Sequence, residues 1–160
     1  MDNGTTGPPA GRIHGRPGLA KALFNEAWEL IEQPGRTAEQ DRRMLLLACA
    51  SRLHWDRVGG EEQRAIGDWQ VAHVCALLGR GALAQGFAGA VLDRADRHGW
   101  DGALRVSAYE GLARAAAVLG DDAARDRCLV LARQALATVE EDDDREELER
   151  QIDSVPPVTG

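Results

Sequence analysis

No proline lies between Pro34 and Pro156, and no alternating run of β-branched residues lies there either. The first absence removes the strongest helix breaker from most of the chain. The second excludes a half-buried sheet. No stretch approaches the roughly 20 apolar residues that cross a bilayer. The opening MDNGTTGPPAGRIHGRPG has no apolar centre of the kind a secretory signal needs. Cysteine is scarce and scattered: Cys49, Cys75 and Cys128 form no C-x-x-C, and each sits in an apolar helical stretch. That is the pattern of buried thiols in a reducing compartment. Lysine is limited to Lys21, and the arginines form no dense cluster. With 26 acidic against 19 basic residues and a formal charge of −7, the chain should repel a nucleic-acid backbone. A cytoplasmic protein with neither a membrane span nor a nucleic-acid partner is expected.

What is present reads as helix. Residues 1–17, rich in Gly, Pro and Thr, form an expected flexible leader, and 155–160 an expected flexible tail. Between them, 18–154 is expected to be a single helical-repeat domain. A first helix over about 18–33 places Ala20, Leu23, Phe24, Ala27 and Ile31 on one face. Thr37 and Gln40 have capping-box spacing for a second helix over about 38–58, with Met44, Leu47, Ala48, Ser51, Trp55 and Val58 as its core stripe. Gly59-Gly60 breaks it, and a third helix runs to about Leu78. A fourth, over about 82–98, offers Leu83, Phe87, Ala90, Val91 and Ala95 as a stripe. Its Gly86 and Gly89 suggest a close helix neighbour. Asp101 and Asp121 can cap helices over about 102–119 and 122–140. A last helix opens in the acidic run at 140–149, with Leu148, Ile152 and Val155 covering the open end of the stack.

The turns recur. ALLGRGALA at 76–84 is echoed by AVLGDDAAR at 117–125, an offset of 41, and Gly59-Gly60 stands about as far from HGWDG at 98–102. Helix pairs repeated at this period are the sequence form of an α-solenoid. The segment 108–136 also resembles a tetratricopeptide repeat. Tyr109, Leu112, Ala113, Leu119, Gly120, Asp121 and Ala124 match that family's pattern in order. The chain departs from it in its longer period and in lacking a closing proline. His54-Trp55, Trp69-Gln70 and Ala108-Tyr109-Glu110 with Ala113-Arg114 further resemble words shared by small bacterial helical-repeat proteins, over about 40–140. These resemblances imply a right-handed stack of about three helical hairpins with a C-terminal capping helix, and a role in protein–protein contact.

Chemically capable side chains gather in SRLHWDRVGGEEQRAIGDWQVAH at 51–73. In an antiparallel hairpin across Gly59-Gly60, His54 and His73 differ in level by about 12 Å at the helical rise. That is too far for one metal ion with bonds near 2 Å, and no metal or cofactor is expected. His54 and Asp68 differ by only about 4–5 Å, so a His–carboxylate contact is expected, with Arg64 competing for the same carboxylate. The 41-residue offset then sets Tyr109 level with Asp68, and Glu110 level with Trp69. His54, Trp69, Gln70, Tyr109, Glu110 and Arg114 are therefore the candidate lining of a concave groove for a protein or peptide segment. The first expectation is a non-catalytic interaction module. A second is a small-molecule binder or enzyme using His54 as general base beside Asp68 and Glu110. A third is a self-associating structural protein, a homodimer.

Overall fold

Caps and glycines set most of the element boundaries in the computed structural model, which describes residues 17–158. Seven helices follow one another: α1 (Pro17–Glu32), α2 (Ala38–Val58), α3 (Glu61–Leu77), α4 (Gly81–His98), α5 (Ala103–Leu119), α6 (Asp122–Leu136) and α7 (Asp142–Asp153). There is no strand among the described residues. Thr37 Oγ1 accepts from the Gln40 amide at 3.2 Å, and the Gln40 side chain accepts from the Thr37 amide at 2.8 Å, completing the expected capping box. Asp121 caps α6 through the Ala124 amide at 2.9 Å. Gly99 and Gly120 close α4 and α5 with φ of 64° and 78°, values that glycine adopts without the cost a Cβ imposes.

Asp101 does not cap α5. Gly102 takes the N-cap position with φ 77°. Its amide donates to Thr138 Oγ1 at 2.9 Å, and Asp101 instead lies 3.4 Å from Arg105 Nε. The same threonine shortens α6 against the expected 122–140. Its hydroxyl donates to the Ala135 carbonyl at 2.7 Å, and Val139 leaves the helix to join the core beside Leu136 and Ile152. Most of the expected leader, 1–16, lies outside the described residues, as do 159–160 of the tail. Val155, where that tail was expected to begin, is buried, and Arg125 donates to the Pro156 carbonyl at 2.7 Å.

Each helix packs on the next. In addition α1 touches α3, α3 touches α5 and α5 touches α7, whereas α2, α4 and α6 do not meet. The odd-numbered helices are therefore the inner layer. α3 is buried without interruption from Gly67 to Ala76, and α5 from Ala113 to Ala117, as expected of helices with neighbours on every side. Met44, Leu47, Val71 and Val74 centre one core cluster, and Val106, Leu136, Leu148 and Ile152 another under α7. Leu148, Ile152 and Val155 are all buried. No helix among the described residues is long and apolar enough to cross a membrane.

α4 buries Val91 and Ala95 of the expected stripe, but in its first half Ala84 and Ala88 take the core positions expected of Leu83 and Phe87. Ala84, Ala88, Val91 and Ala95 are fully buried, while Leu83 is 57% exposed. Small residues on that face let α4 approach its neighbours closely. A Cβ on Gly111 of α5 would lie 3.0 Å from Ala88 Cβ, whereas Gly86 and Gly89 have nothing within 4 Å. The close approach thus falls at Gly111 and at Gly81, where a Cβ would lie 2.7 Å from Leu119 Cγ, and not at Gly86 or Gly89. Gly86→Ala is expected to raise stability by about 1 kcal/mol. Gly111→Ala is expected to lower it by about the same amount, because crowding outweighs the gain in helix propensity. Urea unfolding of the two variants checks both signs.

Candidate functional site

The 41-residue offset is a physical contact. Trp69 Nε1 on α3 donates to Glu110 Oε2 on α5 at 2.9 Å. The other Glu110 oxygen accepts from Arg114 Nε, one turn on. Arg114 continues to α7, donating to Ser154 Oγ at 2.6 Å and to the Gln151 carbonyl at 3.2 Å. A single polar chain thus joins α3, α5 and the end of α7. On the other side of α3, Gln70 Nε2 donates to the Phe24 carbonyl of α1 at 2.9 Å. Trp28 of α1 packs on Trp69 and His73, with ring centroids 5.3 and 5.5 Å away.

Trp69, Gln70, Glu110 and Arg114 are all at most 8% exposed. They are the contents of the seam between inner helices and do not edge an open groove. Tyr109 leaves this group. Successive helical residues point about 100° apart, and Tyr109 packs instead against the cluster of α6 and α7.

Asp68 and His54 do not pair. The Asp68 carboxylate, in a residue 4% exposed, accepts from Arg52 Nε at 2.5 Å and from Arg94 Nη1. Arg52 also holds Asp56, Arg94 holds Glu61 at 3.0 Å, and Arg64 holds Glu61 at 2.6 Å while lying 3.6 Å from Asp56. Three arginines and three carboxylates close a ring that clamps α2, α3 and α4 together. His54 stands outside it, its Nδ1 buried and without a partner. Level along the hairpin was right, but direction around α2 decides the pairing: residues 52 and 54 diverge by about 200°. Gly67 shows which side faces α3, since a Cβ there would lie 2.7 Å from Arg52 Cδ. Hydrogen bonding to Arg64 holds the Glu61 carboxyl below its ordinary range, with Arg94 adding to the effect against partial desolvation.

Asp68→Asn is expected to cost about 2–3 kcal/mol, because two largely buried guanidinium groups lose their shared anion. Chemical denaturation checks it, and a loss under about 0.5 kcal/mol would mean that the ring behaves as exposed surface pairs do.

No expected catalytic group is left unengaged by its surroundings except His54. Ser51 Oγ donates to the Ala20 carbonyl at 2.8 Å in the interior. Burial raises the pKa of all three free thiols, Cys49, Cys75 and Cys128, which makes them poor nucleophiles. His73 is pushed down to about 3, first by burial and then by the Arg114 charge. No group of three or more His, Cys, Asp or Glu among the described residues is placed to hold a metal ion.

Two surfaces escaped the sequence. A cavity of about 640 Å³ lies between α1 and the α2–α3 turn, lined by Lys21, Phe24, Asn25, Trp55, Gln63 and Ile66 among others. The signal for it was the only lysine standing near the Gly-Gly break in space, which no linear pattern displays. The second is a set of exposed apolar side chains, the most exposed on the outer helices: Leu46 and Leu53 on α2, Leu83 on α4 and Val130 on α6, with Ile66, Leu77, Leu119 and Leu131 less exposed. No protein-family model matches the chain, and neither a curated protein nor a solved structure matches it.

Proposed function

We propose that the chain is a non-catalytic protein-interaction module of the cytoplasm. In this reading it is a right-handed stack of three helical hairpins closed by α7, similar to tetratricopeptide repeats. Its contact surface is the outward side of α2, α4 and α6. One observation carries this: Leu46, Leu53, Leu83 and Val130 are each more than half exposed and all lie on the outer helices. The inner layer spends its aromatic and polar side chains on its own seams. Large apolar residues kept in water are a usual mark of a partner surface. The acid–base alternative loses support because Asp68 is held by two arginines and Glu110 by Trp69 and Arg114.

The test is affinity capture from a lysate of the source organism with the wild-type chain and with a Leu53→Glu, Leu83→Glu, Val130→Glu variant. Loss of a reproducible partner at unchanged melting temperature is expected. Retention of that partner by the triple variant, with loss in Lys21→Glu at the cavity, would move the contact surface to the cavity and end this reading.

A further inference from the structure

The cavity beside α1 suits an anion with an apolar body, and we propose that it binds a small amphipathic carboxylate. It lies in the inner layer, off the outer-helix surface, and does not rest on the outer-layer reading. Phe24 meets Gln70 and Trp28 meets His73, so α1 and α3 run parallel and touch along their middles. Toward their N-terminal ends they part. The space between them, about 640 Å³, is in the range of small-molecule sites.

Its walls are held without a ligand. Ser51 of α2 donates to the Ala20 carbonyl at 2.8 Å, and Gln70 of α3 to the Phe24 carbonyl at 2.9 Å. Those two bonds pin the turn of α1 that faces the cavity. The Phe24 ring is stacked on Trp28, and Trp55, one turn on from Ser51, lines the cavity from α2. The Gly-Gly break belongs to the same construction. Gly59 and Gly60 have φ of −104° and −92°, which any residue adopts. A Cβ on Gly59, however, would lie 2.8 Å from Trp55 Cε3 and 2.9 Å from Gln63 Cβ. Glycine is needed there for space, so that Trp55 and Gln63 can both face the cavity.

Phe24, Trp55, Val58 and Ile66 supply the apolar wall, and Ile66 is left 39% exposed. The polar groups are donors. Lys21 is exposed and has no hydrogen bond or ion pair among the described residues. Gln63 Oε1 accepts from the Gly60 amide at 2.9 Å, which leaves its Nε2 as the free end. No Asp or Glu stands among the described lining residues, in a chain that has 26 of them. One cation with a carboxamide donor matches one carboxylate. A dianion would bring a second charge with no partner to an apolar wall, and a cationic ligand would find no anion.

Calorimetric titration of the whole chain with octanoate and with 3-phenylpropanoate is expected to give dissociation constants of about 100 µM or tighter. The tighter of the two shows whether the body is aliphatic or aromatic. Octan-1-ol and octylammonium should bind about tenfold more weakly or worse. Lys21→Met should weaken octanoate about tenfold without affecting octan-1-ol, and Lys21→Arg should keep it. Gln63→Glu keeps an acceptor for Gly60, and so the start of α3, but sets a carboxylate beside that of the ligand. It should weaken octanoate about tenfold or more at unchanged melting temperature. Leu53→Glu, on the outer face, should change nothing. Octan-1-ol binding as well as octanoate, octanoate binding indifferent to Gln63→Glu, or loss in Leu53→Glu would overturn the proposal. So would no binding of either acid up to about 5 mM. Binding seen only after Ile13→Asp would assign the cavity to the leader instead, and overturn it equally.

Discussion

Replacing Glu110 by alanine is expected to destabilise the chain by about 3–5 kcal/mol, a third or more of the stability of an ordinary domain. The carboxylate is 1% exposed and serves two donors from two helices. Its removal leaves the Arg114 guanidinium, in a residue 6% exposed, with neutral oxygens of Gln151 and Ser154 as its only anchors. Trp69 Nε1 loses its acceptor inside the seam. Most of the cost comes from the stranded charge, not from the lost attraction, and that makes a sharp comparison possible. Glu110→Leu combined with Arg114→Met removes both charges at similar volume and should recover most of the stability lost in Glu110→Ala. Glu110→Gln, which keeps an acceptor for Trp69, should fall between. Hydrogen exchange should rise first at α7, because Arg114 is aimed at Ser154 by Glu110. Equilibrium urea unfolding of the four chains checks the order, and a Glu110→Ala loss under about 1 kcal/mol would mean that water reaches the pair.

That seam was half legible in the sequence. The helical period and caps placed all seven elements within a few residues, because Thr37-Gln40, Asp121 and the glycines at 59–60, 99 and 120 act locally. The 41-residue offset also reached across helices and found the level at which Trp69 meets Glu110. Level is a coordinate along the axis, however, and contact depends equally on rotation about it. Asp68 meets Arg52 and Arg94 where His54 was expected, and Tyr109 turns to α6 while Glu110 turns to α3.

Burial was the other missing quantity. Trp, Gln, Glu and Arg in one layer read equally well as a groove edge or as a satisfied interior network, and only the packing of α1 and α7 over them decides. The reverse error occurred on α4. Leu83 carries a stronger hydrophobic signal than Ala84 or Ala88, yet the alanines are buried because only they allow Gly111 and Ala88 to approach so closely.

His73 is expected to make the fold acid-sensitive within a definable window. Its ring packs against both Trp28 and Trp69, with Nδ1 buried and unpartnered, and its folded value is about 3 against the ordinary 6.5. Above pH 6.5 the ring is neutral in both states and contributes no pH dependence. As pH falls below 6.5 the unfolded chain takes up a proton that the folded chain refuses, so folding loses about 1.4 kcal/mol per pH unit. The loss reaches about 3 kcal/mol near pH 4 and levels off as pH passes the folded value. His73→Phe keeps an aromatic ring against the two tryptophans and removes the proton site. The difference in unfolding free energy between wild type and this variant should therefore be flat above pH 6.5 and grow steadily below it. Burial is the larger cause of the depression and Arg114 the smaller, so removing the Arg114 charge in the Glu110→Leu, Arg114→Met chain should leave most of the slope in place. If that double variant abolished the slope, the depressed value would be a charge effect transmitted from α5. An imidazole titrating near pH 6 in the folded wild type would mean instead that the seam around Trp28, Trp69 and His73 is open to water.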